Sequence, residues 1–158
     1  MYIKDGSNDD YSFGRQEEST YSWGWLGNHV ESSGWNSEDL KKQVIEKLSD
    51  LGYEKTIYHT RGIHICEMCG NGMGNSVIKI SYNGKFYTAP SDVVHYIKEH
   101  DYCPDDIVIE AVLNGYYLND DDIEVDWTSG KLGEEEVERQ FKSKLEKALM
   151  RGMRGLIK

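Results

Sequence analysis

Apolar residues recur at helical spacing near the start of the chain and again at its C-terminal end. The first stripe predicts an amphipathic helix over residues 38–51, with Ser37 as its N-cap and Gly52 directly after its end. Its members are Leu40, Val44, Ile45, Leu48 and Leu51. The second stripe predicts a helix that begins near Glu134, with an acidic first turn and a basic tail that match the helix dipole. Its members are Val137, Phe141, Leu145, Ala148, Leu149 and Met153.

The middle of the chain has the pattern of a β-hairpin. Residues 77–82 alternate apolar and polar side chains, residues 85–88 form the return strand, and Asn83 with Gly84 between them is a strong hairpin signal. Further short strands are predicted at 53–58, 116–118 and 123–127.

Two short helices should follow the hairpin. Ser91 is expected to cap a helix that runs through about His100, directly after Pro90 ends the strand. Pro104 is expected at the first position of the next helix, which runs to about residue 113. From these elements we expect the α+β fold class.

The chain divides by composition into three parts. Residues 1–20 are rich in Asp, Ser, Gly and Glu, which predicts a flexible acidic N-terminus. An α+β domain should occupy residues 21–130 and begin with an aromatic run that can bury substantial area. A C-terminal amphipathic helix should occupy residues 131–158.

Charge and composition limit the classes of protein to consider. The formal net charge of −10 makes binding to a nucleic-acid backbone unlikely and favours a basic partner. The first residues lack the apolar region of a signal peptide, and no run is long enough to cross a membrane. Three cysteines do not indicate a disulfide framework. We therefore expect a cytoplasmic protein without membrane contact.

Two cysteines and two histidines have the spacing of a zinc site. Two residues separate Cys66 from Cys69, so one tight turn can point both sulfurs at a single ion. His95 and His100 follow the hairpin on the next predicted helix. Turn, hairpin and helix in this order predict a treble-clef-like zinc module with a small antiparallel sheet, flanked by helices.

Several features of this site remain open at the level of sequence. Five steps along an ideal helix turn away by about 140°, so the helix must end or loosen at His100 for both histidines to bind. His64 could replace one histidine, and Cys103 is a second reserve that more commonly would be a small buried side chain. The four residues could also be unrelated polar side chains.

Glu67 lies between the two cysteines and raises the question of catalysis. A site closed by four protein ligands is structural, whereas catalysis needs an open position for water. Glu67 could act as a base if one histidine were not a ligand, but the deaminase pattern of His-x-Glu with a distant Pro-Cys-x-x-Cys is absent from the chain. We therefore expect a non-enzymatic protein, with a zinc-dependent hydrolase as an alternative.

The chain also resembles a family of uncharacterised bacterial proteins between residues 23 and 112. The matching pieces are Gly-Trp-Leu at 24–26, Arg-Gly-x-His-x-Cys-Glu-x-Cys at 61–69, Tyr-x-Ala-Pro at 87–90, His-Tyr-x-x-x-His-x-Tyr-x-Pro at 95–104 and Ala-Val at 111–112. The family usually has Pro where this chain has Asp105, and Phe where it has Val108. The resemblance implies that the Cys and His positions bind metal, places Cys103 at a variable position, and implies no activity.

The first hypothesis for function is an interaction protein that neutralises a basic protein, such as an immunity protein or an inhibitor. Acidic surface steers association with such a partner, and exposed aromatic residues supply anchors. The candidate surface consists of Asp120, Asp121, Asp122, Glu124, Asp126, Tyr116, Tyr117 and Trp127. The alternative is a nucleic-acid-binding zinc-finger protein, for which Arg61, Lys79, Lys85 and Lys98 would have to cluster around the module.

Overall fold

A computed structural model shows an α+β fold in which, among the described residues, four helices pack around a four-stranded sheet. The structure describes residues 3–6, 20–30, 34–52, 55–57, 63–72, 74–119, 122 and 134–154. The strands are β1 (Thr20–Ser22), β2 (Val77–Tyr82), β3 (Lys85–Pro90) and β4 (Tyr116–Tyr117). The helices are α1 (Glu38–Ser49), α2 (Val94–His100), α3 (Asp106–Asn114) and α4 (Glu134–Arg154).

The sheet has the strand order β1-β3-β2-β4 and is mixed, whereas an antiparallel sheet was expected. Strands β2 and β3 form the expected hairpin, with Asn83 at φ 51° and Gly84 at φ 77° in the turn. Strand β1 pairs with β3 in parallel. The long connection through α1 and β2 permits this direction, and a strand of three residues carries no pattern that would reveal it.

The two faces of the sheet differ in chemistry. Ile78 and Ile80 contribute to the main core, which α1, α2 and α3 cover. The opposite face is covered in part by α4 and contains the fully buried Lys79, whose Nζ lies 4.8 Å from the ring centroid of Phe86. Because both faces of β2 are covered, Lys79 belongs to the interior and cannot join a basic surface around the metal module.

The first helix confirms its predicted start. The Ser37 side chain accepts a hydrogen bond from the Leu40 backbone N–H at 3.2 Å, as an N-cap should. The helix ends at Ser49, two residues before the predicted end at residue 51. Its C-cap is Asp50, so Gly52 does not directly follow the helix as expected. Leu51 still packs against the main core from outside the helix.

Helices α2 and α3 both begin later than expected. Residues 91–93 form a turn, in which the Ser91 backbone N–H donates to the Ser76 carbonyl at 2.9 Å, so Val93 is the N-cap of α2 and has no side-chain cap. Helix α3 begins after Asp105, with Pro104 outside it. At α2 the turn after the hairpin takes precedence over the local cap signal of Ser91, and at α3 the N-cap is Asp105, one residue after Pro104.

Part of the predicted flexible N-terminus is described and contacts the domain. Ile3 donates its backbone N–H to the Trp25 carbonyl at 2.9 Å, and Gly6 donates to Ser22 at 2.8 Å. Asp5 accepts hydrogen bonds from the Tyr102 hydroxyl and from the Gly24 backbone N–H. Residues 7–19 lie outside the described residues, as do the predicted strand at 123–127 and much of the predicted strand at 53–58.

The C-terminal helix begins at Glu134 as predicted and packs on the second face of the sheet. Its contact with β2 is close at Gly152, where an added Cβ would lie 2.2 Å from the Ser81 Oγ. Within the described residues, no helix combines the length and the apolar character needed to cross a bilayer. The proposed division of the chain at residues 20 and 130 stays a prediction.

Candidate metal centre

The two cysteines lie in a tight turn that precedes β2. The Cys66 backbone N–H donates to the Asn71 carbonyl at 2.9 Å, and the Gly70 N–H donates back to Cys66 at 2.8 Å. Gly70 adopts a φ of +78°, which a residue with a side chain rarely adopts. This closed turn holds the Sγ atoms of Cys66 and Cys69 on the same side, as the two-residue spacing predicted.

The two histidines lie on α2, which ends at His100, where the sequence required the helix to end or loosen. His100 is the last residue of the helix, and Asp101 follows in the left-handed conformation with φ 52° and ψ 32°. The Asp101 backbone N–H donates to the Tyr96 carbonyl and so closes the helix. The imidazoles of His95 and His100 then approach each other, with ring centroids 5.2 Å apart.

The four side chains come together with the separations of a metal site. Cys66 Sγ lies 3.4 Å from His100 Nε2, and Cys69 Sγ lies 3.3 Å from His95 Nε2. One ligand atom from each of the four residues lies within 4.8 Å of the others. Tetrahedral zinc, with Zn–S of about 2.3 Å and Zn–N of about 2.05 Å, would separate sulfur from nitrogen by about 3.6 Å. The cluster can therefore hold a metal ion.

The centre connects the core to the surface. Cys66 is fully buried and belongs to the main core, Cys69 is exposed, and both histidines are intermediate. Tyr96 and Ile97, between the two histidines, are also fully buried. A metal ion here would tie the cysteine turn to a helix that is itself anchored in the core, and this arrangement is suited to a structural role.

The reserve ligand His64 is directed elsewhere. Its Nε2 lies 3.0 Å from the Tyr96 hydroxyl, which donates its own proton to the Leu26 carbonyl at 3.2 Å. The hydroxyl oxygen can therefore accept a hydrogen bond from the Nε2–H of a neutral His64. Burial lowers the pKa of His64 and favours this neutral form. His64 packs beside the centre, also in edge contact with Trp25, and is not one of the four clustered side chains.

Cys103 and Glu67 also lie outside the cluster. The Cys103 Sγ is 3.5 Å from the Pro104 carbonyl oxygen, and burial raises the pKa of the Cys103 thiol. The thiol is therefore held in its protonated form, unlike a metal-binding thiolate. Glu67 is exposed at the tip of the cysteine turn. The ligand set that the sequence favoured is thus the set that the structure brings together.

Two members of the expected partner surface, Tyr117 and Asp122, are buried. Tyr117 is buried and its hydroxyl donates to the Val112 carbonyl at 2.7 Å. Asp122 is 5% exposed and pairs with Arg151, and it also accepts a hydrogen bond from the partly buried Tyr116. Tyr116 and Asp122 join α4 to the domain through Arg151, whereas Tyr117 is bound to α3. The other members, Asp120, Asp121, Glu124, Asp126 and Trp127, lie outside the described residues.

Two exposed apolar residues on the cysteine turn were missed by the sequence reasoning. Ile63 is 64% exposed and Ile65 is 55% exposed, while His64 and Cys66 between and after them point inward. The segment is extended, with a bridge between Ile65 and Gly72. Strict alternation from residue 63 to residue 66 was the available signal, because an inward Cys66 forces both isoleucines outward.

The described residues thus define a small α+β protein with a Cys2His2 cluster that can hold a metal ion. The chain belongs to the family described as Domain of unknown function (DUF7919), whose model matches residues 1–113. No curated protein and no solved structure matched the chain. The family match contains all four clustered residues and begins at residue 1, ahead of the resemblance noted at residue 23. Strand β4 and helix α4 follow the matched region.

Proposed function

We propose that this protein is a non-enzymatic, zinc-stabilised interaction protein that binds a basic protein partner. The observation that carries the proposal is the closed set of Cys66, Cys69, His95 and His100. Two thiolates and two imidazoles are a donor set that zinc favours, and softer or harder metals prefer other ligands. Zinc bound here would hold the cysteine turn on α2.

The closed donor set also supports a role without catalysis. Zinc catalysis requires one coordination position for water or substrate, and four protein ligands fill a tetrahedron. His64, the nearby imidazole, contacts the Tyr96 hydroxyl and is not one of the four clustered side chains. It therefore replaces none of the four ligands. No observation on the described part of the chain favours the hydrolase alternative.

Surface chemistry supports an interaction role. Ile63 and Ile65 are exposed side by side on the metal-bearing turn, where solvation of apolar side chains is unfavourable unless a partner covers them. The net charge of −10 would attract a basic protein and speed the encounter. An immunity protein or an inhibitor of a basic protein has this combination of charge and size.

The nucleic-acid alternative receives no comparable support. It depended on a cluster of basic residues around the module, but Lys79 is fully buried within the sheet. Lys85 is exposed on β3 and Lys98 on α2, and Arg61 lies outside the described residues.

Native mass spectrometry of untagged protein tests the metal part of the proposal. We expect one zinc ion per chain, confirmed by elemental analysis, and a less stable fold when the metal is chelated. Freshly purified protein that is folded and carries no zinc would overturn the proposal.

A paired capture experiment tests the interaction part. The double variant Ile63→Ser, Ile65→Ser should retain zinc but lose a basic protein that the unaltered chain captures. The matched control is Met150→Ser, Met153→Ser, which removes two exposed apolar side chains from α4 and should leave capture intact. Equal capture by both double variants would exclude the cysteine turn as the docking surface.

A further inference from the structure

A cavity of about 490 Å³ lies between the C-terminal end of α1 and the turns that precede and follow the hairpin. Its walls include Leu48 and Ser49 at the end of α1, Gly74 and Ser76 before β2, and Asp92 after β3. The volume falls within the range of pockets that bind small molecules or single side chains. The cavity is separate from the metal centre, because none of the four clustered residues lines it.

The charges around this cavity have one sign. Asp92 is the acidic lining residue, and no Lys, Arg or His of the described chain lines the cavity. The carbonyl end of α1 adds partial negative charge, since the last carbonyl groups of a helix lack partners within it. Serine hydroxyls from both turns provide further acceptors. The walls therefore favour a positively charged group that donates hydrogen bonds.

Asp92 is an exposed residue whose carboxylate lies against Gly74 in the cavity wall. It takes part in no ion pair with the described residues. Its Oδ2 lies only 2.6 Å from the position that a Cβ on Gly74 would occupy. Because residue 74 is glycine, with a φ of +102°, the carboxylate can lie against this wall. A carboxylate that lines a pocket and makes no ion pair with the described residues can bind a cationic group that donates hydrogen bonds.

We propose that this cavity receives a Lys or Arg side chain of the basic partner, with Asp92 and the carbonyl end of α1 binding the cationic group. The apolar side chains of Leu48, Leu51 and Val94 line the same cavity and would pack on the aliphatic stem of the incoming residue. This inference rests on the proposed function, because it identifies the chemistry by which the acidic protein recognises a basic one.

The exposed isoleucines of the cysteine turn lie on a segment that is hydrogen-bonded to the cavity wall at Gly74. The His64 backbone N–H donates to the Gly74 carbonyl at 2.7 Å, and Ile63 directly precedes His64. Ile63 also contacts the position of Gly72, two residues before the cavity wall at Gly74. One partner segment could therefore cover the isoleucines with apolar residues and insert a basic residue into the cavity.

Chemical-shift perturbation with a small probe tests the site without a known partner. Zinc-loaded, full-length protein is titrated with N-acetyl-lysine amide at physiological salt, and with N-acetyl-norleucine amide as the uncharged probe of similar shape. We expect saturable shifts at the backbone amides of Ser49, Gly74, Ser76 and Asp92 with the lysine probe alone. Absence of saturable shifts, or equal shifts with norleucine, would overturn the inference.

Two variants test whether the lysine probe binds in the cavity, and a third controls for the loss of one negative charge. Asp92→Asn should weaken binding of the lysine probe roughly fivefold, as loss of about 1 kcal/mol predicts for a solvent-accessible ion pair. Ser49→Lys places a basic side chain at the cavity and should abolish probe binding. Glu46→Gln removes the same charge from an exposed position of α1 outside the cavity and should leave binding unchanged.

The outcomes separate this inference from the proposed function. If Glu46→Gln weakens binding as much as Asp92→Asn does, the probe senses net charge and the cavity is not the site. In that case the zinc content and partner capture measured above are unaffected, and only the cavity assignment fails. Metal content is measured for each variant, so that a loss of binding through loss of zinc is recognised.

Discussion

Removal of the metal should destabilise the protein by an amount that the positions of the ligands determine. A metal ion would close loops between Cys69 and His95, 26 residues apart, and between Cys66 and His100, 34 residues apart. The loop-closure relation gives about 3.5 kcal/mol for a cross-link over 26 residues and about 3.8 kcal/mol over 34. The two loops overlap, so the smaller value is a lower limit for the pair.

This loss would be a large part of the total stability. Domains are stable by about 5–15 kcal/mol, and each kcal/mol shifts the Tm by roughly 2–4 °C at this chain length. We therefore expect chelation to lower the Tm by roughly 7–14 °C at least. The measurement is thermal unfolding under reducing conditions, with zinc and with chelator, on the unaltered chain.

Cysteine variants make the measurement specific. Cys66→Ser should have a low Tm that no longer responds to zinc or chelator. Cys103→Ser removes a thiol outside the cluster and should retain the full difference between the two conditions. The reasoning would be refuted by the same Tm with zinc and with chelator in the unaltered chain, or by equal loss of the response in both variants.

Three further substitutions test the packing and the cavity. Gly152→Val would place a side chain against Ser81, where a Cβ already lies 2.2 Å from Oγ, and should destabilise the packing of α4 by about 1–3 kcal/mol in urea unfolding despite better helix propensity. Gly24→Ala, with φ +72° and a Cβ 2.4 Å from Val93 Cγ2, should cost at least about 1–2 kcal/mol in the same assay, and an unchanged midpoint would contradict the contact. Asp92→Asn should raise the Tm slightly at pH 7: the folded-state pKa lies above the ordinary 3.8, so the folded state loses stability as the carboxyl ionises. That advantage should vanish below about pH 3.8, and a lower Tm for Asp92→Asn at pH 7 would show that the carboxylate stabilises the fold.

The metal cluster could be predicted because its determinants are local. The spacing of Cys66 and Cys69 dictates a shared turn, and helix geometry requires an end at His100. The structure provides that end through Asp101 in the left-handed conformation. Both requirements involve a few consecutive residues, so neither depends on how the rest of the chain is arranged.

The features that sequence reasoning missed depend on distant contacts. Lys79 occupies a polar position of an alternating strand, and only the placement of α4 over that face buries it. Tyr117 and Asp122 are polar or amphipathic residues in a turn-rich stretch, and they become interior because Val112 and Arg151 contact them. Local pattern alone assigns such residues to the surface, since it contains no information about what packs above them.

The parallel pairing of β1 with β3 has a consequence for folding during synthesis. Ser22 contacts Thr88 across 66 residues, and Tyr102 reaches Asp5 across 97 residues, whereas the cysteine turn, the hairpin and α2 lie within a short stretch of chain. Contacts of high sequence separation form late, because closing long loops is entropically unfavourable. We expect pulse-labelled hydrogen exchange to show protection of the β2–β3 hairpin before that of β1. Strand β1 therefore leaves the ribosome before β3 and stays unpaired until β3 has been synthesised.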